Sequence, residues 1–256
     1  MKKFILFFCF LIAAALFAQI LIGETPTVLK PQVVSIAGKA ELKSGDKWVP
    51  LTKNSILSVN DTIRTGDKSL AEIKLADNTV ITLSENTEVV LQEMTTEKLK
   101  KKSMFGKEGQ NLNKIKLNMT NGQIMSKLQK NDKTKNSFSL NTPVAVCGVR
   151  GTQFVTSHSG ENTNVDVIEG EVDVYNHKFP NKSIKVTAGQ TTTVVQNKEP
   201  DKPKPLTSEE REKFRQMFAP SEKSGSSQPA SNQGSSKQSE KKEQKSTGSV
   251  KLKVDM

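Results

Sequence analysis

The feature that most constrains the fold is a series of short segments, over residues 33–195, in which apolar and polar residues alternate. Ala71, Ile73 and Leu75, for example, fall on one face of an extended chain, and the charged residues between them fall on the other. This period of two is typical of half-buried antiparallel strands. Because turn-forming Gly, Asn, Asp and Pro residues separate the segments, the pattern predicts an all-β sandwich, barrel or short solenoid.

The predicted β domain covers residues 32–196 and contains one irregular region. Asn121 and Gly122, a pair that strongly favours a tight hairpin turn, stand between two alternating segments. Residues 97–116 interrupt the alternation with several lysines and with glycines. We interpret residues 97–116 as a basic excursion from the sheet.

A short helix is predicted over residues 207–218, after a Lys- and Pro-rich linker at residues 197–206. Thr207 and Glu210 have the spacing of a capping box, which opens a helix. Since a helix this short is marginal alone, we expect its apolar side chains to dock on the β domain. These side chains are Leu206, Phe214, Met217 and Phe218. Residues 221–256, which are rich in Ser, Gln, Lys and Gly, are predicted to be disordered.

Residues 1–22 have the pattern of an export segment. Lys2 and Lys3 precede an apolar run that starts at Phe4, which is the order of a secretory signal peptide. The uncharged stretch extends to Ile22 and is also long enough for an uncleaved membrane anchor. Both alternatives place the rest of the chain outside the cytoplasm, in the periplasm or cell envelope of a bacterium, either free or anchored in the inner membrane.

The formal net charge of +11 is concentrated in two stretches. Residues 97–135 contain 11 Lys against three acidic residues, and the chain after residue 220 contains seven Lys against four. An exported basic surface can bind anionic lipid headgroups, wall polymers or polysaccharides. No pattern of a nucleic-acid-binding motif accompanies the charge, so nucleic acid is not an expected partner. The candidate contacts for an anionic partner are Lys98, Lys100, Lys101, Lys102 and Lys107.

Few residues in the sequence suggest chemistry. Cys147 lies among valines and is predicted to be a small buried residue; without the export segment it is the only thiol, so no intramolecular disulfide is expected. His158 and His177 fall in polar stretches that resemble turns, and neither has a partner at metal-ligand spacing.

The acidic residues also fail to form a catalytic pattern. No nucleophile–base arrangement and no Gly-rich phosphate loop is present. The nearest candidate group consists of Asp166, Glu169 and Glu171, and a solvated strand edge explains it more simply. The sequence therefore predicts a protein that is not an enzyme and that holds no metal or other cofactor.

Eight short motifs, in their order along the chain, resemble those of the FecR domain. They are DTIRTG at residues 61–66, SLAEI at 69–73, LADNT at 75–79, NGQI at 121–124, TPVAV at 142–146, VRGTQF at 149–154, VIEGEV at 167–172 and AGQ at 188–190. We interpret the motif residues as structural rather than ligand-binding. They are Arg64, Gly66, Asp77, Gly122, Pro143, Arg150, Gly151, Thr152, Phe154, Glu169, Gly170 and Gly189.

The resemblance implies an extracytoplasmic all-β domain, either a FecR-like β-solenoid or a twisted β-sandwich. In iron-uptake regulators such a domain passes a signal across the inner membrane. Those regulators carry a cytoplasmic segment that holds a sigma factor, and only three residues precede the apolar run here. Anti-sigma activity is therefore not expected. Arg150, if buried, needs an acidic partner such as Glu169 or Asp166 and would act as an internal brace; a ligand contact is the alternative.

Two functions follow from these observations. The first is a non-enzymatic envelope protein that acts as a binding, sensory or scaffold module for another envelope protein. The second is a surface or matrix-interaction protein that binds anionic wall polymers or glycans through its basic loop and tail. In either case membrane contact is expected only through the N-terminal segment, if that segment is not cleaved.

Overall fold

The computed structural model describes residues 26–76, 79–99, 110–129, 134–149 and 151–218. Strands dominate these ranges, and one helix, α1 (Ser208–Phe218), follows them. The strands are β1 (Thr27–Val28), β2 (Gln32–Ala37), β3 (Ala40–Ser44), β4 (Lys47–Pro50), β5 (Thr62–Thr65), β6 (Leu70–Ala76), β7 (Thr79–Leu83), β8 (Glu88–Leu99), β9 (Gln110–Leu128), β10 (Thr134–Asn141), β11 (Ala145–Val149), β12 (Gln153–Ser159), β13 (Asn162–Glu169), β14 (Glu171–Asn176), β15 (Ile184–Thr187), β16 (Gln190–Val195) and β17 (Lys204–Pro205).

The strands form two sheets that share β9. Sheet A has the order β4–β3–β5–β8–β9–β10–β11–β14–β15, with β1 paired to β8 beside β5. Sheet B has the order β2–β6–β7–β9–β12–β13–β16–β17. The first part of β9 pairs with β8 and β10, and its last part pairs with β7 and β12. Of these pairings, that of β9 with β10 is parallel and the rest are antiparallel.

An internal repeat flanks β9. The four strands β5–β8 and the four strands β11–β14 have the same arrangement: the first and fourth pair in sheet A, and the second and third pair in sheet B. Each set therefore crosses from sheet A to sheet B and returns. In sheet B, β7 of the first set and β12 of the second set lie on opposite sides of β9.

The apolar faces of the two sheets enclose one core. A single cluster of buried residues joins Ile63 and Leu117 of sheet A to Ile81 and Val167 of sheet B. Phe138 of sheet A and Phe154 of sheet B meet edge to face across this core, with ring centroids 6.1 Å apart. The all-β prediction is confirmed, and the facing sheets make the domain a β-sandwich.

The strand directions define two ends of the sandwich. The bend end holds the bend of β9 and the turns that follow β5, β7, β10 and β12. The hairpin end holds the paired residues Leu99 and Gln110, the end of β9 and the turns that follow β11, β13 and β15.

Two interpretations of local sequence are corrected by the strand pairing. Asn121 and Gly122 do not form a hairpin turn, because β9 continues through them and changes sheet there. Of the predicted basic excursion, residues 97–99 belong to β8 and residues 110–116 belong to β9, where they pair with each other and with β10. Long strands accept these lysines because alternate side chains point to solvent.

The C-terminal helix forms where the sequence predicts it. Thr207 and Glu210 make a capping box: the Thr207 amide donates to Glu210 Oε2 at 2.8 Å, and the Glu210 amide donates to Thr207 Oγ1 at 3.2 Å. Leu206 and Phe214 are buried against Met125 and Val155 of sheet B. The predicted linker contributes β17 to the edge of sheet B.

Some predictions lie outside the described residues. The export segment at residues 1–22 and the tail at residues 221–256 are among them. No helix in the part of the chain that the structure describes has the length and hydropathy of a membrane span.

Candidate functional site

A groove with a volume of about 880 Å³ opens at the bend end of the sandwich. Its walls are formed by residues 68–70 after β5, 84–86 after β7, 121–123 at the bend of β9, 157–159, 162 and 164 of the β12–β13 hairpin, and 213 and 217 of α1. We call it the polar groove. Five segments that are distant in sequence meet here, because the strands that precede or follow them end at the same end of the sandwich.

The bend of β9 depends on Gly122. Its φ is +101°, and a Cβ atom at this position would lie 2.5 Å from the Cα of Thr87 and 2.3 Å from its Oγ1. The Gln123 amide donates to Thr87 Oγ1 at 3.0 Å, and the Ser84 amide donates to the Gln123 carbonyl at 2.9 Å. A residue without a side chain thus lets β9 pass close over the β7–β8 turn.

Amide and hydroxyl groups dominate the lining. Ser157 Oγ donates to Gln123 Oε1 at 3.3 Å, which leaves Gln123 Nε2 without a partner among the described residues. Thr193 Oγ1 donates to Asn164 Oδ1 at 2.8 Å, and Asn164 Nδ2 likewise has no partner among the described residues. Ser84 Oγ is buried and has no partner in the described part of the chain. The side-chain amide nitrogens of Gln123 and Asn164 therefore give this groove unused hydrogen-bonding capacity.

His158 lines the groove from a strand, and its interpretation as a turn residue is wrong. It is part of β12, and it is buried because its side chain points between the sheets. Its Nδ1 lies 2.9 Å from Thr163 Oγ1, which lies 2.8 Å from Thr142 Oγ1. His177, in the turn after β14, reaches the same place, with Nε2 2.8 Å from the Thr142 carbonyl oxygen. Burial lowers the pKa of His158, so its ring is neutral at neutral pH.

Helix α1 forms the remaining wall and covers a buried acid. Asp166, on the outer face of β13, lies under the helix with 9% of its surface exposed. Burial raises the pKa of the Asp166 carboxyl; the hydrogen bond with Thr191 opposes this shift, and the charge of Glu210 reinforces it. The nearby cation Lys213 acts in the opposite direction and also lines the groove.

The first predicted motif residues lie on sheet A or beside the groove. Arg64 donates from Nε to Glu41 Oε2 at 2.8 Å, and its guanidinium stacks 4.0 Å from the centre of the Trp48 ring. Lys39 and Arg64, in that order, lower the pKa of Glu41. Gly66 donates its amide to the Lys39 carbonyl at 2.9 Å. These contacts tie β3, β4 and β5 together and do not reach the groove.

Three glycines of the second-half motifs shape turns at the hairpin end. Gly151, Gly170 and Gly189 all have positive φ. A Cβ at Gly170 would lie 2.8 Å from Thr152 Oγ1, which itself donates to the Glu171 carbonyl at 2.9 Å. Phe154 lies on β12, two residues after Thr152, and is fully buried. These residues therefore occupy the end of the sandwich opposite the polar groove.

The remaining site predictions have mixed placements. Glu169 accepts from Gln153 Nε2 at 2.8 Å, and Pro143 is exposed in the turn at the bend end. Lys98 is exposed on β8. Four lysines and two motif residues lie outside the described residues, so the proposed brace stays a prediction. They are Lys100, Lys101, Lys102, Lys107, Asp77 and Arg150.

The described residues bring together no group that suggests catalysis. They contain no cluster of three or more His, Cys, Asp or Glu that could hold a metal ion. Cys147 is fully buried on the inner face of sheet A, and burial raises the pKa of its thiol to about 12. Glu171 pairs with Lys185 at 3.0 Å on the surface. The groove can therefore bind through hydrogen bonds, and the arrangement of these groups supplies no activated nucleophile.

Comparison with known proteins finds one family and related solved structures. Residues 61–173 match the family model described as FecR protein. Two crystal structures of a protein described as an anti-sigma factor from Parabacteroides distasonis, at 1.65 and 2.50 Å resolution, align with 15% and 16% identity and TM-scores of 0.43 and 0.44. Each alignment covers 60% of this chain and 64% of the other, so the chain spans less than two thirds of those proteins. No curated protein matches the chain.

Proposed function

Because residues 61–173 form a FecR domain, we propose that this protein is an exported, non-catalytic sensory or scaffold module of the bacterial cell envelope. The domain match is the observation that carries the proposal. The export pattern of residues 1–22 supports the location, and the described acids, histidines and cysteine offer no catalytic arrangement. In this view the sandwich is a rigid frame, and recognition occurs at the polar groove.

Two measurements test the proposal in intact cells. Alkaline phosphatase fused to the C-terminus of the full chain should be active, because the enzyme needs an oxidising, extracytoplasmic compartment for its disulfides. A photo-crosslinking amino acid at Ser159, on the groove rim, should capture an envelope component. The same amino acid at Gln92, which is exposed on β8 and does not line the groove, is the matched control. An inactive fusion, or equal capture at both positions, would contradict the proposal.

A second candidate function is adhesion to an anionic wall polymer, and the position of the described lysines favours it. Lys98 and Lys114 lie on the long β8–β9 pair near the hairpin end, where Leu128 also meets Thr152. Lys114 forms an ion pair with Glu97 at 2.7 Å, and Lys98 is exposed on the neighbouring part of β8. Binding of this kind weakens steeply with salt. Co-sedimentation with purified cell wall over a salt series should show that loss, and replacement of the five candidate lysines by Gln should reproduce it at low salt.

A further inference from the structure

The polar groove has a composition that selects for a neutral ligand. Its charged lining residues are Lys68, Lys213 and Glu85, and Glu85 Oε2 already accepts from the Lys68 amide at 2.8 Å. His158 adds no charge at neutral pH, because its ring is buried between the sheets. Serine, asparagine and glutamine provide most of the other lining groups. Two lysines against one glutamate leave the lining with a net charge of +1, so it repels a cationic ligand and neutralises a polyanionic ligand only in part.

The unused groups are both donors and acceptors. Gln123 Nε2 and Asn164 Nδ2 are amide donors with no partner in the described ranges. Asn121, which also lines the groove, donates its Nδ2 to the Asn86 carbonyl at 3.1 Å and keeps its Oδ1 as an acceptor. A ligand hydroxyl also donates and accepts, so a polyhydroxylated ligand can satisfy these groups at once.

Two apolar side chains complete the lining. Leu70 is 45% exposed at the start of β6, and Met217 extends from the last turn of α1. Sugar rings present C–H faces as well as hydroxyl groups, and such apolar faces gain from contact with exposed Leu and Met side chains. The groove volume of about 880 Å³ lies within the range of pockets that hold small organic ligands. It has room for a short chain of sugar rings.

We propose that the polar groove binds a neutral oligosaccharide, held through Gln123, Asn164 and Asn121, with Leu70 and Met217 against the sugar rings. This inference rests on the proposed envelope function, because the envelope is where such polymers are exposed. The ligand chemistry has two sources: an N-acetylated glycan of the cell wall, or a neutral glucan. The groove supplies amide and hydroxyl partners suited to both.

The test is a titration of the full chain, followed by isotope-edited NMR of backbone amides. The probes are tetra-N-acetylchitotetraose, as the wall-type glycan, and maltotetraose, as the neutral glucan. We expect saturable shifts at residues 84–86, 121–123 and 157–164 with at least one probe. Shifts with the first probe alone assign a wall-type glycan, and shifts with the second alone or with both assign neutral glycan recognition more broadly.

Matched variants locate the binding. Gln123→Ala should weaken the affinity about fivefold, since a lost hydrogen bond is worth about 1 kcal/mol and 1.4 kcal/mol is tenfold. Asn164→Ala, at an exposed position, should have a similar effect. Gln92→Ala, the same substitution outside the groove, should leave the affinity unchanged.

Three results would overturn the inference: no saturable shift with either saccharide, shifts away from the groove, or equal weakening by Gln92→Ala. Tighter binding of polygalacturonic acid fragments than of both neutral probes would also overturn it. None of these results affects the phosphatase fusion, which tests the envelope location independently.

Discussion

Gly122 gives the sharpest test of how the bend of β9 is built. Replacing it by Ala places a methyl group 2.5 Å from the Cα of Thr87, which is backbone and cannot rotate away. Thr87 is itself buried, and its amide donates to Thr65 Oγ1 at 3.0 Å. Either β9 or the β7–β8 turn must therefore move.

The expected cost has two parts. A non-Gly residue held at a φ of +101° costs about 1–3 kcal/mol, and overpacking against a fixed neighbour costs about 1–3 kcal/mol more. Gly122→Ala should lower the free energy of unfolding by about 4 kcal/mol. Gly160→Ala is the matched control, because Gly160 has a φ of +58° and no atom within 4 Å of a Cβ built there. Its cost should be the backbone strain alone, about 1–2 kcal/mol.

Urea unfolding at 25 °C, followed by the fluorescence of the single Trp, measures both variants. Trp48 reports on the β sandwich, because it stacks with Arg64 on sheet A. Equal destabilisation by the two substitutions would refute the reasoning, since it would mean that the close approach to Thr87 contributes nothing. A change in the urea dependence, rather than in the midpoint, would point to an altered unfolded state instead.

Three further predictions concern the core and its buried groups. Phe154→Ala should cost about 3–5 kcal/mol in urea unfolding, because the ring is fully buried against Phe138; a loss below 1 kcal/mol would contradict the packing. Cys147 should resist iodoacetamide at pH 8 in the native protein and react after unfolding, as followed by mass spectrometry of its peptide, because burial raises its pKa to about 12. Asp166→Asn should raise the melting temperature at pH 7. The folded-state pKa of Asp166 is raised, because burial favours the protonated carboxyl. The Asp166 side chain therefore contributes most to the stability of the folded state at low pH, and this contribution is lost as pH rises through that pKa. The gain should shrink as pH falls toward 4, and a lower melting temperature at pH 7 would count against it.

Local patterns predicted the elements of this protein well where the cause is local. The alternation of Ala71, Ile73 and Leu75 corresponds to a strand with these three residues buried. The capping box at Thr207 opens a helix because its hydrogen bonds join residues only three positions apart. Neither feature needs information from elsewhere in the chain.

Two predictions from local sequence were wrong: the hairpin turn at Asn121 and Gly122, and the turn position of His158. Asn121 and Gly122 satisfy the preference of a tight turn, yet the same preference for positive φ serves a strand that changes sheet over Thr87. His158 stands among polar neighbours in the sequence, and its burial depends on Thr163 and Thr142, which face it from β13 and from the turn after β10. No signal within a few residues of either position distinguishes these outcomes.

The sequence by itself determined that the chain forms short half-buried strands with a capped helix, and its ordered motifs resemble those of the FecR family, whose model matches residues 61–173. The tertiary structure decided that the strands form two facing sheets joined through β9, and that five distant segments meet in one groove. The reason is that hydrophobic periodicity fixes which face of a strand is buried, whereas strand pairing is a contact between residues far apart in the chain. The second-half motif glycines therefore marked turns at the hairpin end, and the polar groove emerged only where other turns meet at the bend end.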